Sequence, residues 1–234
     1  MTQTSTFWAI VPAAGVGSRM GAAIPKQYLT LHGKRVIDWT LSRLLQCDLF
    51  DGIMVATSAT DAWWPTCEYA HHPLVHSVTG GQARADTVRL SLQALQEKAD
   101  AQDWVLVHDA ARPCVDPADV KRLVHVVLSE QHEGGLLGVP VADTLKWLSP
   151  AHTVEKTLDR TRVWRAFTPQ MFRVGALYEA LLYAQKHAKI VTDEASAMEM
   201  RGVQPMMLEG RSDNIKITRN EDLAYAEQVL RQSE

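Results

Sequence analysis

Six short apolar runs, Phe7 to Val11, Ile53 to Ala56, Leu74 to Val78, Trp104 to Val107, Leu136 to Val141 and Met206 to Leu208, are separated by stretches of helical periodicity. Strands that alternate with helices in this way build a mostly parallel sheet with helices on both faces, so the chain is expected to be α/β. Within one stretch Ala85, Val88, Leu92 and Leu95 recur at three- and four-residue spacing and share one helix face, which must pack on the sheet. Asp116 before Pro117 reads as an N-cap with proline in the first helical position, followed by the buried stripe Val120, Leu123 and Val127. Thr218 with Glu221 reads as a capping box that opens a last helix, turning Leu223, Ala226 and Leu230 inward. With 234 residues, 46% of them hydrophobic, the chain can bury one good core, and residues 1–234 are expected to form a single domain.

The segment from Asp143 to Trp164 breaks the alternation. It is polar and β-prone, carries no helical stripe and is interrupted by Ser149-Pro150, which predicts an extended arm or hairpin leaving the main sheet at about residues 143–164. Trp147, Leu148 and Leu158 on such an arm need a partner surface, so a homodimer joined through it is expected; an arm folded back on its own domain is the alternative.

A formal net charge of -3 gives no global attraction to nucleic acid or to an anionic membrane, so any phosphate recognition must be local. No apolar run approaches the roughly 20 residues that cross a bilayer. The stretch from Met1 to Thr6 lacks the basic and apolar regions of a signal peptide, so a cytoplasmic location is expected. Cys47, Cys67 and Cys114 are odd in number, far apart and without a C-x-x-C pair, and read as free buried thiols. His71-His72 lies in a polar loop without a carboxylate or cysteine at ligand spacing, and His108 has no second histidine on its face, so no histidine metal site is expected.

Phosphate recognition has two local candidates. The first run leads directly into Pro12-Ala13-Ala14-Gly15-Val16-Gly17-Ser18-Arg19-Met20-Gly21, with Pro25-Lys26-Gln27 close behind. Small residues after a buried strand let the backbone approach a ligand, and their N–H groups can converge on an anion. The loop is neither a G-x-G-x-x-G nor a G-x-x-x-x-G-K-[ST] motif, and by itself it reads equally as a tight turn. Arg19 and Lys26, seven residues apart with few acidic neighbours, change that balance, because two cations on one irregular loop can clamp a triphosphate. The second candidate is His108-Asp109-Ala110-Ala111-Arg112-Pro113, which follows the run Trp104 to Val107. An aspartate at the carboxyl end of a strand sits where open α/β sheets bind ligands, and its oxygens suit Mg²⁺ held with phosphates. Alone it could equally cap a turn.

Further segments follow in order: Gly80-Gly81-Gln82-Ala83-Arg84-Ala85-Asp86-Thr87-Val88, Pro140-Val141-Ala142-Asp143-Thr144, Thr168-Pro169-Gln170, Thr192-Asp193-Glu194-Ala195-Ser196 and Glu209-Gly210-Arg211-Ser212-Asp213-Asn214-Ile215-Lys216. With the glycine loop and the H-D-A-A-R-P block, they resemble the 2-C-methyl-D-erythritol 4-phosphate cytidylyltransferase family of the non-mevalonate isoprenoid pathway, over nearly the whole chain from Ile10 to Leu230. The resemblance implies a Rossmann-like nucleotidyltransferase fold, a homodimer joined by a protruding β arm, CTP as donor and Mg²⁺ as cofactor. It implies that Arg19 and Lys26 stabilise the transition state on the CTP phosphates, with Arg160 and Lys216 completing the catalytic set. Pro12, Ala13, Ala14, Gly15 and Gly17 would line the nucleotide site, Gly81, Gln82 and Thr87 would reach the cytidine, and Asp109, Ala110 and Arg112 would complete the nucleotide side, with Asp109 as metal ligand. Thr144, Arg160, Thr168, Thr192, Asp213 and Lys216 would hold the methylerythritol phosphate, Thr144 and Arg160 from the arm, either within their own chain or across the dimer interface. Two positions depart from the family pattern. Gln82 stands where an acidic residue is common and loses its charge, while Thr87 stands where serine is common and keeps the hydroxyl.

Such a reaction needs no general base. A phosphate monoester has a second pKa of about 6 and is already largely dianionic near neutrality, so the acceptor brings its own nucleophile. Two other readings fit parts of the pattern: a cytidylyltransferase acting on ribitol 5-phosphate, and a catalytically silent nucleotide-binding regulator.

Overall fold

A computed structural model of the chain describes residues 6–15 and 24–232. In chain order its elements are β1 (Phe7–Pro12), β2 (Thr30–Leu31), β3 (Lys34–Arg35), α1 (Val36–Leu45), β4 (Gly52–Thr57), β5 (Val75–Thr79), α2 (Arg84–Leu95), β6 (Trp104–Val107), α3 (Pro117–Ser129), β7 (Gly134–Pro140), β8 (Lys146–Leu148), β9 (Val154–Thr157), β10 (Trp164–Arg173), α4 (Val174–Lys186), α5 (Glu194–Glu199), β11 (Met206–Glu209) and α6 (Asn220–Arg231). The central sheet has the order β11-β7-β10-β6-β1-β4-β5. All of its strands run one way except β10, which pairs antiparallel with both β6 and β7.

Period-two alternation along the central strands supplies both faces of the sheet. Ala9 and Val11 of β1, with Trp104 and Leu106 of β6, join the core that takes Ile37, Leu41 and Leu44 of α1 and Val120, Leu123 and Val127 of α3. Trp8 and Ile10, with Val105 and Val107, face the opposite core, which takes Val88, Leu92 and Leu95 of α2 and Leu177 and Leu181 of α4. Each fully buried Leu or Ile here contributes about 1.5–3 kcal/mol relative to exposure, so the stripes fix the helices on the sheet. The Asp116 carboxylate accepts from the Ala118 N–H at 2.8 Å and caps α3 as its sequence predicts.

Two expectations change. The run Trp164–Arg173 forms the ten-residue strand β10, of which the arm expected at about residues 143–164 takes in only the first residue. The last helix begins one residue later than the Thr218–Glu221 box implies: Asp222, not Glu221, folds back and accepts from the Thr218 N–H, the Thr218 hydroxyl and the Arg219 N–H. The buried side of that helix is as expected, with Ala226 and Leu230 fully buried.

The arm is a hairpin of β8 and β9, a two-stranded sheet of its own between β7 and β10. Trp147, Leu148 and Val154 on it are exposed, at 55%, 46% and 60%. Cys47, Cys67 and Cys114 are free and buried. Burial pushes their thiols up to about 12, 11 and 12 respectively, which leaves them protonated and inert near neutrality. Among the described residues no helix is long and apolar enough to cross a membrane.

Candidate active site

The chain runs from β1 outward to β4 and β5, then returns to the other side of β1 as β6. Such a reversal opens a crevice at the carboxyl ends of the strands. A cavity of about 350 Å³ lies there, walled by Pro12 to Gly15 after β1, Lys26 and Gln27, the stretch Gly81 to Arg84 with Thr87, Asp109 to Ala111 after β6, and Lys216 with Thr218.

The backbone of the wall is held by side chains. The buried Gln27 donates from Nε2 to the Ala13 carbonyl at 2.7 Å and the Gly15 carbonyl at 3.1 Å, so the small-residue loop is pinned from behind. Gly80 is required by close approach: a Cβ there would stand 2.6 Å from the Ala14 Cβ and 2.9 Å from Thr87 Cγ2. The Thr87 hydroxyl accepts from the Gly81 N–H at 3.1 Å and donates to the Ala83 carbonyl at 3.0 Å. It therefore shapes the turn that presents Gly81 and Gln82 to the cavity.

The floor is a charge cluster around one buried carboxylate. Asp109 Oδ1 accepts from Arg84 Nε at 2.9 Å, while Oδ2 takes Lys216 Nζ at 2.8 Å and Arg112 Nε at 3.3 Å. Burial alone would raise its pKa, but Arg84, then Lys216 and Arg112, hold it well below the usual carboxylate range. Arg84 also grips the buried Glu194 with both arms of its guanidinium, at 2.7 and 3.0 Å. Burial opposes the Arg84 charge, yet the Glu194 and Asp109 carboxylates outweigh it and push its pKa further up. Lys216 reaches Asp109 because its segment is zipped to the block after β6. Ile217 N–H donates to the Ala111 carbonyl at 2.8 Å, Arg112 Nη1 to the Asn214 carbonyl at 2.7 Å, and Asn214 Nδ2 to the Thr168 carbonyl at 2.9 Å.

Beneath Asp109, His108 is fully buried between the Arg112 carbonyl, 3.1 Å from Nε2, and the Thr168 hydroxyl, 3.0 Å from Nδ1. A carbonyl only accepts, so Nε2 carries the proton and Nδ1 accepts from Thr168, whose oxygen in turn accepts the Asp109 N–H at 3.0 Å. Burial pushes the His108 pKa down to about 4. The unfolded imidazole, near 6.5, then binds more protons than the native one at any pH between the two values, so stability falls as pH drops through that window. The parent should lose about 3 kcal/mol of unfolding free energy to this group by pH 4. Denaturant unfolding across a pH series should show a shallower slope for His108→Gln; identical slopes would mean that His108 is charged in the fold.

Several sequence-predicted positions meet in this cavity: Pro12, Ala13, Ala14, Gly15, Lys26, Gly81, Gln82, Thr87, Asp109, Ala110 and Lys216. Gly17 and Arg19 lie outside the described residues. Arg112 stands behind the cavity, on Asp109, with its guanidinium 5.5 Å from the Phe167 ring centroid. Thr168 is buried and its hydroxyl is engaged by His108 and Asp109, so it positions the Asp109 backbone rather than facing a ligand with that group. Asp213 accepts from Arg211 Nε at 3.0 Å, and Thr192 is exposed before α5. Thr144 and Arg160 are exposed on the arm and do not line the cavity of their own chain. Arg84, Glu194 and Gln27 carry much of the site's geometry, and sequence reading gave them no role.

The donor set bears on the metal. Among the described residues Asp109 is the one carboxylate lining the cavity, and both its oxygens are paired with cations. Among the described residues no group of three His, Cys, Asp or Glu side chains forms a cage. The donor set fits a Mg²⁺ carried in by a phosphate ligand better than one held by a protein cage, and Asp109 is the carboxylate that would meet it.

Known proteins resemble this chain along its length. The sequence profile described as IspD, 2-C-methyl-D-erythritol 4-phosphate cytidylyltransferase, matches residues 7–232. The protein named 2-C-methyl-D-erythritol 4-phosphate cytidylyltransferase from Hahella chejuensis is 48% identical over 225 residues, covering 96% of this chain and 93% of its own. The protein of that name from Vibrio cholerae is 48% identical over 222 residues, covering 95% of each. The crystal structure of the Francisella tularensis protein of the same name superimposes with a TM-score of 0.84 at 38% identity, covering 96% of this chain and all of that one, 100%.

Proposed function

This chain belongs to the 2-C-methyl-D-erythritol 4-phosphate cytidylyltransferase family, and from that premise we propose that the cavity between β1 and β6 holds CTP with Lys216 beside the incoming acceptor. The fold is the Rossmann-like nucleotidyltransferase fold, and the protein is an enzyme. It transfers a cytidylyl group from CTP to 2-C-methyl-D-erythritol 4-phosphate, giving 4-diphosphocytidyl-2-C-methyl-D-erythritol and pyrophosphate, in isoprenoid biosynthesis.

The placement of Lys26, Lys216 and Arg84 around one cavity carries the reading. The chemical obstacle is to bring two polyanions together and to stabilise charge at the α-phosphorus during in-line attack by the acceptor phosphate, a task for fixed cations. Pro12 to Gly15 with Gly81, Gln82 and Thr87 would receive the nucleoside, and the cationic floor would take the phosphates. Mg²⁺ bound with the triphosphate supplies charge neutralisation on its oxygens. Arg19 is proposed for the same phosphates. Thr192, Asp213 and Lys216 are proposed for the acceptor side.

We further propose that Thr144 and Arg160 serve the site of a second copy, in a cytoplasmic homodimer joined through the arm. The exposed Trp147, Leu148 and Val154 support that assembly.

Pyrophosphate release should require CTP among the four nucleoside triphosphates and methylerythritol phosphate over ribitol 5-phosphate, and excess chelator should abolish it. Equal turnover of ribitol 5-phosphate would assign the acceptor wrongly, and CTP binding without release from either acceptor would indicate a silent binder. For Lys216→Ala the KM for the acceptor should rise more than that for CTP; the reverse order would place the acceptor elsewhere.

A further inference from the structure

Arg84 lines the cavity from the first turn of α2, and Glu194 opens α5, 110 residues away in sequence. The two form a fork-to-fork pair in which Glu194 is 1% exposed. Glu194 is itself held in place. The Gln170 side chain, also 1% exposed, donates from Nε2 to Asp193 Oδ2 at 2.9 Å and accepts the Ala195 N–H on Oε1 at 2.8 Å, clamping the residues on either side. Asp193 adds an N-cap bond from the Ser196 N–H at 2.9 Å.

A guanidinium has five N–H donors. Two of them go to Glu194, and the plane they fix delivers the Nε–H to Asp109 Oδ1. The other oxygen of the same carboxylate carries Lys216. A line of contacts therefore runs from Gln170 past Glu194 and Arg84 to Asp109 and Lys216, two-pronged between Glu194 and Arg84 and a single ion pair between Asp109 and Lys216. Without the Glu194 carboxylate, Arg84 would keep its charge but lose the plane that aims Nε, and Asp109 would lose its fixed partner on Oδ1 while Lys216 and Arg112 pull on Oδ2.

We propose that Glu194 is a positioning residue for the transfer reaction, acting through Arg84 and Asp109 to set the place of the Lys216 ammonium against the acceptor phosphate. This rests on the placement of the acceptor beside Lys216. Glu194 touches neither substrate. Its influence falls on the acceptor side, because the nucleoside wall is held independently by Gln27 and Thr87.

The test is the steady-state behaviour of full-length Glu194→Gln, assayed well below its melting temperature. The acceptor KM should rise and kcat should fall, together costing between about ten- and a hundredfold in kcat/KM, the scale of a misplaced reacting group. The KM for CTP should rise less than that for the acceptor, because the bonds of Gln27 and Thr87 that hold the nucleoside wall are kept. In an Arg84→Lys background, which keeps the charge and loses the fork, adding Glu194→Gln should cost little more, because both act along one line. Should Glu194→Gln fail to accumulate as folded protein, Arg84→Lys alone must show the same split between the two KM values. Unchanged kinetics, equal losses for CTP and acceptor, or a loss that vanishes on cooling would overturn the proposal. Lys216→Ala separates the two readings. If it raises the acceptor KM while Glu194→Gln does not, only the positioning role fails; if it leaves that KM unchanged, the acceptor site itself is misplaced.

Discussion

Lys26→Ala is expected to fold as the parent does and to lose about 10²–10³ in kcat, the scale of removing one preorganised charge donor. Lys26 begins a short 3₁₀ turn, Lys26–Tyr28, directly after Pro25, so its backbone is set by a proline on one side and a buried Gln27 on the other. Its ammonium donates to the Ile217 carbonyl at 2.9 Å, next in sequence to Lys216, and so stands at the cavity rim on the acceptor segment. An ammonium has three donors, and the Ile217 carbonyl takes one of them. Loss of that bond costs about 1 kcal/mol, too little to unfold the chain, and by the proposed placement of CTP the variant removes one of the fixed cations around its phosphates. Pyrophosphate release at saturating concentrations of both substrates measures the effect directly. Unchanged turnover would remove Lys26 from the mechanism.

Much of this architecture is readable from local pattern, and its failures have local causes. All six apolar runs lie on strands, four of them buried inside the sheet and two, β5 and β11, half-buried at its edges. Trp164–Arg173 escapes the same reading because Pro169 interrupts it, and the ladder to β7 shifts register between Phe167 and Gln170. Its neighbours Thr168 and Gln170 point to a motif rather than a strand, yet their buried side chains join the groups that support Asp109 and α5. The last helix shows a finer limit: Glu221 and Asp222 are adjacent acids, and only the backbone geometry chooses the shorter one as the cap.

The site divides the same way. Positions whose contribution is backbone, Pro12 to Gly15 and Gly81, are legible because small residues after a strand advertise close approach. Asp109 and Lys216 are legible as charges, but their pairing is not. Arg84 and Glu194 lie in segments that carry the resemblance, yet local pattern gives neither a role of its own, since an arginine opening one helix and a glutamate opening another each read as ordinary helix residues. What makes them part of the site is a tertiary contact between α2 and α5 that no periodicity announces.

The same pairing makes Asp109→Asn the most severe conservative substitution expected in this chain. The amide keeps the shape of the carboxylate, yet it replaces one acceptor oxygen by a donor that must face Arg84, or Lys216 and Arg112. Removing one partner of a buried ionic cluster while its cations remain costs about 3–5 kcal/mol, which lowers the melting temperature of a domain of this size by roughly 10 °C. Activity should fall with it even when assayed cold, because the three cations would no longer share one anchor. The pH dependence gives the sharper check. A carboxylate whose native pKa is depressed contributes its stability at every pH above the ordinary value of about 3.9, and that contribution is lost only as pH falls through the native value, far into acid. The stability gap between parent and variant should therefore be the same at about pH 6 and about pH 7.5, unlike the His108 contribution, which starts to change below about 6.5. Thermal unfolding of both proteins at the two pH values decides it. Equal stability of variant and parent would mean that Asp109 does not hold the cations together, and the floor of the cavity would then have to be organised by the Arg84–Glu194 pair alone.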